Sequence, residues 1–154
     1  MAKSAGALGA SVSKFRSQLT DWGQIAGFLA SAEKKLEAAQ KMHGVDEETC
    51  YELAYESMLK ASLGLVLSHG MRLRSIPGHH IAVIEFAGKR LGAENKGLIA
   101  MFDRMRRKRH QAMYEVTGLI TRHEAAQAVS AAERYLSVIR EELQRRSPQG
   151  QLFP

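Results

Sequence analysis

Only three prolines interrupt the chain, at Pro77, Pro148 and Pro154. Proline removes a backbone donor and clashes with the preceding helical turn. Its scarcity therefore leaves long stretches on either side of Pro77 free to run as helices. Ala, Leu, Glu, Lys, Arg and Met are plentiful in them, all good helix formers. Apolar residues recur there at the spacing of a helix face, and no useful run alternates with the period of a strand.

Five helices follow from that spacing. Asp21 is placed to cap the first, with Trp22, Ile25, Ala26, Leu29 and Leu36 on one stripe through about Met42 and Gly44 at its end. Asp46 starts the second, whose stripe is Tyr51, Ala54, Tyr55, Met58, Leu65 and Val66. Gly70 suits the position after its end, and Gly64 within it suggests the close approach of another backbone. A loop over Met71–Ser75 leads to Pro77 and a third helix lined by Ile84, Ala87 and Leu91, ended by Gly92. The fourth runs from about Ala93 through Tyr114, with Leu98, Met101, Phe102, Met105 and Ala112 inward, and Gly118 breaks the pattern. Thr121 and Glu124 have capping-box spacing, and Ala125, Ala128, Val129, Ala132, Leu136, Ile139 and Leu143 give the clearest amphipathic pattern of all. The expected fold is all-α, an up-and-down bundle of about five helices over residues 20–146. Residues 1–19 read as a flexible basic arm and residues 147–154 as a disordered tail.

A chain of 154 residues, 45% hydrophobic and 25% charged, has the make-up of one ordinary globular domain. Its net charge of +6 favours polyanions such as RNA, DNA, nucleotides or acidic membrane surfaces. The single cysteine, Cys50, excludes an internal disulfide and a multi-cysteine zinc site, and reads as a structural thiol. No apolar run is long enough to span a membrane, and Met1–Val12 lacks the apolar centre of a signal peptide, so a cytoplasmic address is expected. There is no phosphate-binding glycine loop, no Gly-x-Ser-x-Gly elbow and no His-Glu-x-x-His; His69, His79 and His80 lack metal-ligand spacing. Neither a cofactor nor a metal is called for.

The chemistry concentrates between Arg104 and Tyr114. Helical phase puts Arg104, Arg107 and Lys108 on a face away from Met105, solvated and able to touch phosphates without reading sequence. Arg109 falls inside the apolar stripe, between Met105 and Phe102. A charge there must be paired or used, because an isolated buried charge is very costly. One reading makes it a structural ion pair, with Glu33 on the first helix as the natural partner. The other makes it a phosphate-binding arginine in a cleft or at a subunit interface. His110 and Tyr114 lie one turn apart, with Asp103 and Arg107 near them in direction. A base, a phenol, an acid and a guanidinium on one patch are the parts that metal-free RNA cleavage requires.

Taken together, three segments resemble the HEPN superfamily of small helical-bundle domains. They are Ala32-Glu33-Lys34-Lys35-Leu36, the stretch from Tyr55 ending in Pro77-Gly78-His79-His80, and Arg106-Arg107-Lys108-Arg109-His110 with Tyr114-Glu115. The resemblance covers roughly residues 22–146. It implies a homodimer, a metal-independent ribonuclease activity, and service as a toxin of a toxin–antitoxin pair, often beside a nucleotidyltransferase-like partner. The family motif is an Arg, four to six residues, then a His, with a polar residue directly after the Arg. Arg104 and His110 satisfy the spacing directly. Arg109-His110 fits the Arg-plus-polar pair better and uses the inward-facing arginine, which puts Tyr114 in the place of the family histidine. Under that alignment Arg109, His110 and Tyr114 are the candidate catalytic residues, Arg104, Arg106, Arg107 and Lys108 the candidate RNA- or phosphate-binding residues, and Glu33 the partner of Arg109. The alternative the resemblance leaves is an inactive, nucleotide-binding interaction module that partners a nucleotidyltransferase.

Overall fold

The computed structural model describes residues 14–75, 78–115 and 119–148. Five helices make up nearly all of it: α1 (Trp22–Met42), α2 (Glu47–Ser68), α3 (His79–Leu91), α4 (Lys96–Tyr114) and α5 (Arg122–Arg146). A 3-10 turn, Ala93–Asn95, leads into α4. The expected all-α bundle is what forms.

The helix starts are where local chemistry places them. Asp21 Oδ1 accepts from Gln24 N–H at 3.1 Å, and Asp46 Oδ1 accepts from Thr49 N–H at 3.1 Å. At α5 the box is reciprocal: Glu124 N–H donates to Thr121 Oγ1 at 3.1 Å, and Thr121 N–H donates to Glu124 Oε1 at 2.9 Å. Each such bond satisfies a donor that the helix itself leaves open. Gly70 adopts φ +72° just past α2, a left-handed turn that glycine makes without penalty.

The second helix is the hub. It packs against α1, α3, α4 and α5, and against a short strand. Its buried residues lie on every side, Cys50, Tyr51, Ala54, Tyr55, Met58, Ala61 and Leu65 among them, as a helix enclosed by others requires. Gly64 meets Ile25 O and Phe28 Cβ of α1, each 3.7 Å from where a Cβ would stand, so the expected close approach of α1 is present. Tyr55, Phe102 and Tyr135 tie α2, α4 and α5 together, with ring centroids 5.6 Å and 5.1 Å apart. The Tyr135 hydroxyl shares a 2.6 Å hydrogen bond with Ser62 Oγ, so the polar atom of this core has a partner. Burial pushes the Tyr135 phenol well above its usual range. Cys50 is buried, and burial with Glu47 and Asp46 nearby raises its thiol to about 11, which suits a structural role.

Part of the stretch read as a flexible arm is ordered. Phe15–Ser17 forms β1, antiparallel to β2 (Met71–Leu73), within the stretch read as a loop, with Phe15 opposite Leu73 and Ser17 opposite Met71. Three residues are too few to show a strand period, and the pairing joins segments far apart in sequence. Phe15 packs on Phe86 of α3 at 5.4 Å between centroids, which anchors the ribbon. Residues 1–13, Pro77, Gly118 and residues 149–154 lie outside the described residues, and with them most of the expected arm and tail. No helix among the described residues is long and apolar enough to cross a membrane.

Candidate functional site

Where the start of α3 meets the C-terminal half of α4, a shallow open cavity of about 380 Å³ forms. Gly78, His79 and His80 line it from α3, and Arg106, Arg109 and His110 from α4. Gly78, at φ +80°, is the N-cap of α3 and has no side chain with which to cap it. The positive end of the helix dipole therefore adds to two guanidinium groups on one wall, an arrangement that attracts an anion.

Three of these groups are fixed from behind by α2 and α4. Arg109 Nε and Nη2 each lie 3.0 Å from Oε1 of Glu52. The same guanidinium sits 5.3 Å from the ring centre of Tyr55, in cation–π range. Arg106 Nε donates to Asp103 Oδ1 at 2.9 Å. The Tyr55 hydroxyl and His80 Nδ1 share a 3.0 Å hydrogen bond. Burial holds His80 down to about 4, helped by neighbouring His79, Arg109 and Arg106, so its imidazole is neutral at pH 7. Burial likewise raises Tyr55 to about 12, and the phenol keeps its proton. The cavity thus joins fixed cations to a neutral, oriented imidazole.

The pairing of Arg109 with Glu33 is corrected. Glu33 bonds Arg140 of α5 instead. The physical reason is layering: α2 stands between α1 and α4, so the inward arginine of α4 meets an acid of α2. The expectation that Arg109 must be paired holds, with Glu52 as the partner. Lys108 is not simply solvated; it pairs with Glu124 of α5 at 3.2 Å. Arg104 and Arg107 are exposed, and Arg107 Nε lies 3.4 Å from Asp103 Oδ2. Arg109, His110 and Arg106 come together in the cavity, whereas Tyr114 is outside its lining. Tyr114 is 76% exposed and packs edge-on against the His110 ring, with centroids 5.0 Å apart.

Sequence reasoning missed Glu52 and left His79 and His80, which line the cavity, out of the candidate site. Glu52 stands three residues before Tyr55, on the same face of α2, which was the available signal. His80 is hydrogen-bonded to the Tyr55 hydroxyl and also lines the cavity. His69 caps α2 against Phe86, with ring centroids 5.4 Å apart, and lies outside the site. Among the described residues no group of three or more His, Cys, Asp or Glu is placed to hold a metal ion. Comparison with family models, with curated proteins and with solved structures finds no match for this chain.

Proposed function

We propose that this chain is a HEPN-like RNA-binding protein that holds a backbone phosphate in the cavity between α3 and α4. The observation that carries the reading is the convergence of Arg106, Arg109 and the start of α3 on one open cavity. Guanidinium groups held in place by carboxylates present their remaining N–H donors in fixed directions, which suits phosphate oxygens. The net charge of +6 supports the same ligand class.

His79, His80 and His110 extend the reading to metal-independent cleavage of RNA. A neutral imidazole takes the proton of a 2′-hydroxyl; that oxygen attacks phosphorus, and a protonated imidazole gives its proton to the leaving 5′-oxygen. The products are a 2′,3′-cyclic phosphate and a free 5′-hydroxyl. Arg109 stabilises the added charge on the phosphate. A toxin role, a homodimer and a cytoplasmic setting belong to this reading.

The test is fluorescence anisotropy with labelled single-stranded RNA at low salt, alongside a gel assay for cleavage with and without chelator. Loss of both Arg106 and Arg109 side chains (R106A/R109A) should weaken binding by roughly tenfold or more, as expected for charge-assisted hydrogen bonds. Wild type that binds no RNA would overturn the reading, and cleavage abolished by chelator would remove its metal-independent part.

One observation favours a second reading. Arg109 is held by both Glu52 and Tyr55, as a purely structural cation would be. Under it the chain is a non-enzymatic module for a nucleotidyltransferase-like partner. A stable co-purified complex without RNA binding would support that alternative.

A further inference from the structure

The exposed end of α4 indicates what lies beside a bound phosphate. Tyr114, the last residue of α4, is 76% exposed, and Met113 next to it is 62% exposed. Among the described residues the other exposed large hydrophobic side chains are Leu19, Val45 and, less so, Ile81. Ile81 is itself part of the cavity lining. Tyr114 connects to the cavity through His110, a lining residue whose ring meets the Tyr114 ring at 62°. An aromatic pair therefore runs from the cationic wall out to solvent, over one helical turn of about 5.4 Å.

We propose that His110 and Tyr114 form a stacking platform for an unpaired nucleobase whose phosphate sits against Arg106 and Arg109, which makes the ligand single-stranded. The inference rests on the RNA-binding reading and narrows it. Bases within a duplex are already stacked on one another, so only an unpaired base has a free face to lay on a protein ring. A basic groove with an exposed aromatic surface beside it is how sequence-tolerant binders hold single strands. The role asks for the flat ring of Tyr114 and makes no use of its hydroxyl.

The experiment measures anisotropy at low salt with a labelled oligouridylate and with an RNA duplex of equal length. Tyr114 is exposed, so Y114A and Y114F should keep the fold, which circular dichroism checks. Y114A should weaken binding of the single strand by about fivefold to a hundredfold, the range seen for loss of one base–aromatic stack, and leave the duplex unaffected. Y114F should rescue the loss. Unchanged single-strand binding by Y114A would overturn the platform, as would a Y114F defect as large as that of Y114A. If R106A/R109A lowers binding and Y114A does not, the phosphate site stands and the platform falls. If wild type binds neither RNA, the RNA-binding reading fails and the platform with it.

Discussion

Two nitrogens of Arg109, Nε and Nη2, share one oxygen of Glu52, each at 3.0 Å. The Arg109 side chain is 22% exposed and that of Glu52 is 38% exposed. This is a rim pair, so its net contribution falls near the range for accessible ion pairs, about 0.2–1 kcal/mol. R109A should therefore fold and lose about 1 kcal/mol, read from urea unfolding. A variant that loses more than about 3 kcal/mol, the cost of stranding a fully buried charge, would make Arg109 a structural cation first.

Stability should fall on mild acidification. His80 is held at about 4 by burial and by neighbouring His79, Arg109 and Arg106. His69 is also held at about 4, by burial first and then by Arg146 and Arg90, with Glu142 acting in the opposite direction. An unfolded histidine titrates at about 6.5. Below that pH the unfolded chain binds protons that the folded chain refuses, so acid favours unfolding. Stability is thus fully present above about 6.5 and drains away as pH drops toward about 4. Urea midpoints at pH 7 and pH 5 measure it. H80N and H69N should each reduce the difference, and a wild-type midpoint that does not move over this interval would refute the assignment.

Gly64 offers a stabilising change. A Cβ there would meet Ile25 O and Phe28 Cβ at 3.7 Å, ordinary contact distances. Glycine within a helix costs about 0.5–1 kcal/mol relative to alanine. G64A should raise stability by about that amount, visible as a higher melting temperature. A lower melting temperature would mean that α1 and α2 approach more tightly than these distances indicate. G64V, with two further carbons pointed at α1, should be destabilising.

Legibility in the sequence followed contact range. The caps at Asp21, Asp46 and Thr121–Glu124 join residues three apart, so their spacing alone placed three helix starts. The inward turn of Arg109 was also readable, because it depends only on the phase of α4. Its partner was not, since choosing Glu52 over Glu33 requires knowing that α2 lies between α1 and α4. The β1–β2 ribbon escaped notice for the same reason: Arg16 meets Arg72 only after the chain has folded back. The cavity combines both cases, with Arg106 and His110 set by one helix and His79 and His80 brought to them by tertiary packing.

Tyr55 has no exposed surface, and it touches Phe102 in the core while its hydroxyl and ring face reach His80 and Arg109. Packing and site chemistry therefore share one side chain. Any replacement chosen to improve the interior also rewrites the electrostatics of the cavity, and any change aimed at the cavity is felt through three helices. At this position stability and the charge of the cavity cannot be tuned separately, so variation that adjusts one without the other has to enter from the rim, through Glu52, Asp103 or the exposed end of α4.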